Sequence, residues 1–242
     1  MTVDTLVRKY KKCEKWVRTQ LDAYILPAWK PKQRHMVAIM DATHTGDTWM
    51  VVVRDPNEKE NVYWREHQHE TTFAYQEARR VLEARGFTLT AVVGDGRVAT
   101  PWVFSDIPTQ MCHFHQEQIV IKYTTLNPKL EAGKELLDLV RTLPNTDEAS
   151  FTDAFNHWCR TWDPFLKERS VNPETGRTQY THRKLRAART SIKQHLPYLF
   201  TYQRHPDLHI PNTTNSLDGS FRKVKTSIAV HAGMSRTLNL NL

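Results

Sequence analysis

Two aspartates of the sequence stand where apolar runs stop, and their residue type points to metal chemistry. Asp41 follows the apolar residues 37–40, and Asp95 follows the largely apolar residues 89–94. A short apolar run bounded by turn residues predicts a buried strand, so each acid is expected at the rim of a sheet. Two carboxylates that face one site supply the oxygen ligands that Mg²⁺ prefers. The sequence therefore predicts a site for Mg²⁺, or Mn²⁺, with both aspartates as ligands.

The elements that must position these acids are a meander of strands, a helix and one further strand. Short apolar runs predict the strands, and a 3.6-residue apolar period predicts the helix. The expected positions are 36–41, 48–54 and 61–66 for three strands, 70–85 for the helix and 89–94 for the fourth strand. Three strands, a helix and a further strand, in this order, form the first part of a ribonuclease-H-like fold, in which the first and fourth strands are central and adjacent. The predicted fold class is α/β, with a ribonuclease-H-like mixed sheet core that begins in residues 36–127.

A helical segment is expected after the first part of this core. The apolar residues beyond Pro128 recur with a helical period. One such stripe consists of Phe151, Phe155, Trp158 and Trp162. We predict an all-helical insertion domain over residues 128–202 that contains no strand. Trp158 and Trp162 are expected in its core, and stacking on DNA is the alternative for one of them.

The two ends of the chain flank these parts. Residues 1–35 predict a basic helical segment, which is either the remnant of a helix-turn-helix or an amphipathic helix that leads into the core. Residues 203–242 predict a last core helix and a tail. The Asn and Thr residues at 212–215 are favourable helix N-caps, so this helix is expected to start there. Its buried stripe is predicted to consist of Leu217, Phe221, Val224 and Ile228.

A third acid, Asp218, lies on this last predicted helix but off its apolar stripe. It shares a face with Arg222 and Lys225. One interpretation is that Asp218 points toward the other two acids. The alternative is an exposed ion pair with Arg222, which contributes only a few tenths of a kcal/mol.

The positive charge of the chain is concentrated in its last third. Residues 1–159 hold 20 Lys and Arg against 21 Asp and Glu, a net −1, whereas residues 160–242 hold 14 against 5, a net +9. A basic region beside paired carboxylates fits a polyanionic substrate such as nucleic acid. A solvated basic surface is the alternative.

Composition argues against several other classes of protein. A mean hydropathy of −0.61 and the lack of a long apolar run exclude a transmembrane helix. The charged N-terminus does not look like a signal peptide. The three cysteines, Cys13, Cys112 and Cys159, are far apart and predict neither a disulfide framework nor a paired-cysteine zinc pattern. The expected location is the cytoplasm, in association with DNA and without a membrane partner.

The motifs, taken in order, resemble those of the DDE transposases of bacterial insertion sequences, in the branch related to Mutator-like elements. The resemblance runs from about Val37 to Gly233. It rests on the two aspartates at the ends of apolar runs, a Cys-x-x-His pair and a Thr-Thr-Asn motif followed by an acid. These residues are Asp41, Asp95, Cys112, His115, Thr213, Thr214, Asn215 and Asp218. The family usually has Glu where Asp218 stands, so the third acid is one methylene shorter here.

This resemblance implies a two-metal phosphodiester chemistry on double-stranded DNA, with hydrolysis and strand transfer at transposon ends. It implies Asp41 as the ligand shared by two ions, and Asp95 and Asp218 as ligands of one ion each. Cys112 and His115 form the motif near the site. The implied DNA contacts are Asn215, Arg222, Lys223 and Lys225. A homodimer or higher oligomer on DNA is also expected.

Several alternatives stay open. The chain could be a ribonuclease-H-like nuclease that cuts without joining, or a non-catalytic DNA-binding remnant. Such transposases usually carry a longer N-terminal region and continue further beyond the third acid, so a shortened copy is one expectation. Glu117, Asp47 and Asp106 are rivals of Asp218 for the third ligand. A zinc site at Cys112 and His115 is disfavoured, because two further ligands would have to come from scattered histidines.

Overall fold

A computed structural model describes residues 3–23, 32–45, 47–97, 99–174, 176–217, 219 and 221 of the chain. The α-helices are α1 Val3–Tyr10, α2 Glu14–Ala23, α3 Thr72–Ala84, α4 Ala99–Val103, α5 His113–Thr124, α6 Glu131–Arg141, α7 Glu148–Thr161, α8 Asp163–Lys167, α9 Arg183–Leu199 and α10 Thr201–Arg204. The strands are β1 His35–Thr45, β2 Thr48–Asp55, β3 Glu60–His67, β4 Thr88–Gly94, β5 Thr109–Met111, β6 Arg169–Val171 and β7 Thr178–Tyr180. Short 3-10 turns occupy Leu143–Asn145 and Pro206–Leu208.

A five-stranded mixed sheet forms the centre of the described structure, in the order β3-β2-β1-β4-β5. The first three strands are antiparallel neighbours. β4 lies parallel to β1 and to β5. The α/β class and the predicted adjacency of the first and fourth strands are therefore confirmed.

Both faces of the sheet are covered, which explains why its central strands read as continuous apolar runs. On one face, alternate residues of β1 such as Ala38 and Met40 pack with Tyr75 and Leu82 of α3. On the other face, Val37 and Ile39 pack with Ile210, Leu217 and Phe221. The last described residues of the chain thus return to the sheet and complete its core.

The first strand is longer than its apolar run. β1 continues to Thr45, because it forms a hairpin with β2 whose pairing extends to Thr48. The prediction that Asp41 ends the strand is therefore wrong, and Asp41 pairs with Val52 inside the hairpin. The prediction for Asp95 is confirmed, because β4 ends at Gly94.

The segment 128–202 is not all-helical, so the prediction that it contains no strand is wrong. β6 and β7 form an antiparallel hairpin within it. The turn between them was encoded by residues that break a helix: Pro173 follows Asn172, whose side chain accepts a hydrogen bond from the Glu174 N–H at 2.8 Å, and Gly176 has φ +66°. The apolar period on either side hid this signal.

The remaining helices of this segment share one hydrophobic cluster with α5 and β5. Trp158 is 3% exposed and lies in that cluster, as predicted. α5 and α9 pack together in antiparallel fashion. At one end His113 Nε2 lies 2.7 Å from the Leu199 carbonyl oxygen, and at the other end Tyr123 and Leu185 line a common cleft.

In the N-terminal segment, α1 and α2 contact each other. Val17 is buried, and Arg18 forms an ion pair with Glu14 at 2.7 Å. The helical character predicted for residues 1–35 is confirmed over these two helices. Within the described ranges, no helix is long and apolar enough to cross a membrane.

Gln110 should be a sensitive point of the fold, because its buried amide joins β5 to the end of α9 and to α10. It donates to the Leu199 carbonyl oxygen at 2.8 Å and accepts from the Tyr202 N–H at 3.0 Å. Gln110→Leu would leave buried backbone groups with fewer partners. We expect it to lower the free energy of unfolding by about 2 kcal/mol, measured by urea denaturation. The exposed Gln76 of α3 is the control, and Gln76→Leu should have little effect; equal losses would contradict this role of Gln110.

Candidate active site

The pairing of β1 with β4 brings the first two predicted acids to one edge of the sheet. Ile39 lies opposite Val93 in the parallel register. Two residues further along are Asp41, which is still within β1, and Asp95, which directly follows β4, so the two acids lie at the same end of neighbouring strands. Neighbouring strands lie about 4.8 Å apart, and residues separated by two positions share a face. Both acids are thus on the face that carries the cluster with Leu217 and Phe221.

His115 and Cys112, at the start of α5, lie beside these acids. His115 Nε2 is 3.9 Å from Asp41 Oδ2. Burial alone would lower the pKa of His115, but a hydrogen bond with Cys112 and the negative charges of Cys112, Asp41 and Asp95 raise it to about 9. Burial would raise the pKa of the Cys112 thiol, and the hydrogen bond and positive charge of His115 outweigh it, so that this pKa is lowered. The two side chains therefore stabilise each other's charged forms.

A third carboxylate, Glu70, lies near the same place and was missed by the sequence reasoning. Its side chain is 3% exposed and forms an ion pair with Arg97 at 2.9 Å. The Tyr75 hydroxyl donates to it at 2.6 Å. Arg97 also holds Asp95, through its backbone N–H on Oδ1 and its Nε on Oδ2, both at 3.0 Å. Burial raises the pKa of Glu70, although Tyr75 and Arg97 oppose the shift.

A cleft of about 310 Å³ opens beside these acids, and we name it the carboxylate cleft. It is lined by Asp95, Gly96, Arg97, His115, Gln118, Ile119 and Lys122. The last four residues recur at three- and four-residue spacing, so they form one face of α5. Within the described part of the chain, Lys122 has no ion-pair partner. A stripe of α5 thus adds a free cation to the wall opposite the aspartate.

The Thr-Thr-Asn segment is held against the start of α5. The His113 N–H donates to the Asn212 carbonyl oxygen at 2.9 Å. The Thr214 N–H donates to Cys112 Sγ at 3.3 Å, and the Thr214 hydroxyl lies 3.5 Å from the same sulfur. Residues 215–217 are helical, and the Leu217 N–H donates to the Thr214 carbonyl oxygen at 2.8 Å. The predicted start of a helix at this motif is confirmed.

Of the DNA contacts implied by the resemblance, the structure describes Asn215. Asn215 is exposed at the first helical position. Asp218, Arg222, Lys223 and Lys225 lie outside the described residues. Leu217 and Phe221 are buried against β1 and β4, as their place on the predicted stripe required.

The other acids considered for the third metal ligand form ion pairs with arginines or are exposed. Glu117 forms an ion pair with Arg141 of α6 at 3.1 Å. Asp106 forms one with Arg79 of α3 at 2.6 Å. Asp47 is exposed next to the start of β2. Over the ranges that the structure covers, no three His, Cys, Asp or Glu side chains are grouped as a ready-made metal site.

The loop that carries Asp95 is supported from the helical segment by His195. The ring of His195 lies with Nε2 3.0 Å from the Gly96 carbonyl oxygen and Nδ1 2.6 Å from the Gln116 side-chain oxygen. Burial lowers the pKa of His195, although the Gly96 carbonyl and Asp95 oppose the shift. Gly96 has φ +81°, and a Cβ there would collide with the side chain of Met111. The conformation next to Asp95 therefore depends on glycine and on a partner from α9.

Sequence reasoning missed four residues around the site. They are Glu70, Arg97, Lys122 and His195. The Asp-Gly-Arg order at residues 95–97 was a usable local signal for the pair of Arg97 with Asp95. For Glu70 and His195 the sequence offers no such signal, because their partners are distant along the chain.

No model of a known protein family matches the chain. No curated protein matches its sequence either.

We expect Gly96→Ala to destabilise the protein more than Gly176→Ala does. Both glycines have positive φ, +81° and +66°, so both substitutions should incur a backbone strain of about 1 kcal/mol. At Gly176 nothing lies within 4 Å of an added Cβ, whereas at Gly96 Met111 is in the way. The extra loss should be at least about 1 kcal/mol from overpacking, measured by urea denaturation of both variants. Equal losses would mean that Met111 yields to the methyl group without cost.

The charge state of His115 gives a second prediction. Its pKa is raised from 6.5 to about 9, so its ring resonances in a metal-free NMR titration should move near pH 9. Asp41→Asn should lower that pKa, because it removes one negative charge that holds the proton, whereas Glu117→Gln should leave it in place. The stability that this proton supplies is complete below about pH 6.5 and is lost as the pH rises toward 9. A wild-type midpoint at or below 6.5 would contradict the arrangement.

Proposed function

We propose that the chain is a DDE-type DNA transposase that catalyses metal-dependent phosphodiester hydrolysis and strand transfer at transposon ends. One observation carries the proposal. Asp41 on β1 and Asp95 directly after β4 follow residues that pair in parallel register, and the segment that leads into Asp218 packs on the same face of the sheet through Leu217. Two acids that are remote in sequence are thereby brought to one edge, and in this proposal Asp218 joins them there.

The topology supports a ribonuclease-H-like core for this activity. The sheet order β3-β2-β1-β4-β5 agrees with the central, adjacent first and fourth strands expected of that fold. Segment 128–202 lies along the chain between α5 and the return of the chain to the sheet at Ile210. Because it includes the β6–β7 hairpin, the all-helical insertion domain is not part of this proposal.

The chemistry of the donor set fits Mg²⁺ or Mn²⁺. Asp41 and Asp95 offer carboxylate oxygens, which hard cations prefer, and Mg²⁺ commonly uses one or two carboxylates together with waters and substrate phosphates. Asp218 would be the third ligand. When bound, the ions supply charge neutralisation and polarise the phosphodiester and its attacking hydroxyl. Zinc fits less well, because Cys112 is already hydrogen-bonded to Thr214 at its sulfur.

The protein's own groups can bind and orient the nucleic acid. Arg97 and Lys122 face the carboxylate cleft, where charge-assisted hydrogen bonds to phosphate oxygens are favourable. The guanidinium of Arg97 also lies 5.7 Å from the centre of the Trp49 ring, which restricts its position. Glu70, which accepts a hydrogen bond from the Tyr75 hydroxyl, forms an ion pair with Arg97. The cation is thereby held in place before a phosphate arrives.

One observation favours the non-catalytic alternative, a DNA-binding remnant. Both carboxylate oxygens of Asp95 accept hydrogen bonds from Arg97, so Arg97 competes with a metal ion for this ligand. The nuclease alternative shares the whole site and differs only in joining. An assembly of two or more copies on DNA belongs to the same proposal, and the mass of the complex on a size-exclusion column with light scattering tests it.

The test is a metal-dependent cleavage assay with a supercoiled plasmid and with labelled duplexes from the DNA that flanks the gene. Asp41→Asn, Asp95→Asn and Asp218→Asn should each lower cleavage at least about a hundredfold, because each removes a metal ligand worth several kcal/mol. Glu117→Gln and Asp106→Asn, whose carboxylates face arginines elsewhere, should cleave normally. EDTA should abolish the activity of every variant.

The outcomes separate the alternatives. Cleavage without insertion of a 3′-hydroxyl oligonucleotide into plasmid DNA would favour the nuclease. Binding of DNA without cleavage in either Mg²⁺ or Mn²⁺ would favour the remnant. Normal cleavage by Asp95→Asn would refute the assignment of the site.

A further inference from the structure

A second, larger cleft lies at the far end of the α5–α9 pair. Its volume is about 870 Å³, and we name it the basic cleft. It is formed by the end of α5, the loop that follows and the start of α9. The residues used below are Tyr123, Lys129, Leu130, Arg183, Lys184 and Leu185. It shares no lining residue with the carboxylate cleft and has no role in the chemistry described above.

The charges of the basic cleft are of one sign. No Asp or Glu is among its described lining residues, whereas Lys129, Arg183 and Lys184 are. Neither lysine has an ion-pair partner in the part of the chain that the structure describes. The side chain of Arg183 donates to the neutral side chain of Gln179 at 2.8 Å and forms no ion pair with the residues that the structure describes. The carboxylate of Glu168, nearby, is taken up by His182 at 2.9 Å.

The start of α9 adds to this positive potential. The helix has 17 residues and begins with Arg183 and Lys184, with no acidic residue in its first turn. The N-cap residue, His182, makes no side-chain cap hydrogen bond. The N-terminal end of a helix carries a partial positive charge and unpaired N–H groups, which favour anions and disfavour cations. Two cations at this end are therefore unfavourable unless an anion is present.

The walls of the cleft are apolar and aromatic. Tyr123, Leu130 and Leu185 contribute them, and Leu130 is 48% exposed. Tyr123 is partly buried and Leu185 is 5% exposed. Cations beside a partly exposed aromatic and aliphatic surface suit a polynucleotide strand, whose phosphates meet the charges while its sugars and bases meet the apolar wall. A small inorganic anion would use only the first of these features.

We propose that the basic cleft is a second DNA-contact surface, which holds the backbone of a strand that flanks the carboxylate site. The identification of the polyanion as DNA rests on the proposed function. The length of α5 also fits a DNA strand that runs from the carboxylate site to the basic cleft. α5 leads from His113, beside the carboxylate site, to Tyr123 in the basic cleft, a rise of about 15 Å. That length corresponds to about four phosphates of one DNA strand.

The first experiment measures DNA binding by fluorescence anisotropy with a labelled 20-base-pair duplex over a range of salt. The double variant Lys129→Gln/Lys184→Gln should bind at least tenfold more weakly at low salt. Its slope of log K against log salt should fall by about two, because two phosphate contacts are lost. The control variant Lys59→Gln/Arg80→Gln removes the same charge from exposed positions on the β2–β3 turn and α3 and should bind nearly normally. Equal effects of the two variants would overturn the proposal.

The second experiment uses the wild-type protein and so does not depend on how the variants fold. Lysines are acetylated with and without saturating duplex DNA, and the rates are read by mass spectrometry. Bound DNA should slow the modification of Lys129 and Lys184 at least threefold and leave Lys59 unchanged. Unchanged rates at both cleft lysines would refute the proposal. Equal protection by poly-glutamate of matched charge would mean a general polyanion site and would also refute the assignment to DNA.

Failure of this proposal can be told apart from failure of the proposed function. If the protein binds duplex DNA through these lysines but never cleaves it, the basic cleft stands and the transposase activity does not. If it cleaves DNA but the lysines are neither protected nor needed for binding, the activity stands and the cleft assignment falls.

Discussion

The parallel register between β1 and β4 is the constraint on which the rest of the candidate site depends. A shift by one residue would turn one of the two aspartates to the opposite face of the sheet. The register is fixed because both faces are covered, by α3 on one side and by Ile210 and Leu217 on the other. The packing of Ile39 and Val93, two positions before the aspartates, therefore determines on which face of the sheet the two aspartates lie.

Acids that are brought together in this way need compensating charge, since buried carboxylates are costly without partners. Glu70 is nearly buried, and Arg97 lies between it and Asp95. The raised pKa of His115 supplies a second positive charge beside Asp41. Arg97 and His115 thus balance two of the three carboxylate charges at the site. A metal ion bound by Asp41 and Asp95 would therefore have to share these carboxylates with His115 and Arg97.

Much of the sheet was predictable, because strands covered on both faces leave continuous apolar runs in the sequence. The end of β1 was not, since its last residues are held by pairing with β2 rather than by their own hydrophobicity. Pro173 and Gly176 signal the β6–β7 hairpin, but the helical period of the apolar residues on either side masks this signal. The support of the site by His195 depends on a partner 99 residues away. No local pattern encodes such a contact.

The contact between Cys112 and Thr214 joins positions 102 residues apart, and this separation has a consequence for synthesis on the ribosome. Chains fold from the N-terminal side as they emerge, so the β1–β4 pairing can form while the Thr-Thr-Asn segment is still untranslated. The entropy of closing so long a loop grows slowly, by about 0.6 kcal/mol for each doubling of its length. The helices between the two positions therefore delay the formation of this contact more than they destabilise it. In a nascent chain, the start of α5 beside the acids therefore lacks its contact with the Thr-Thr-Asn segment until residues 212–217 have left the ribosome.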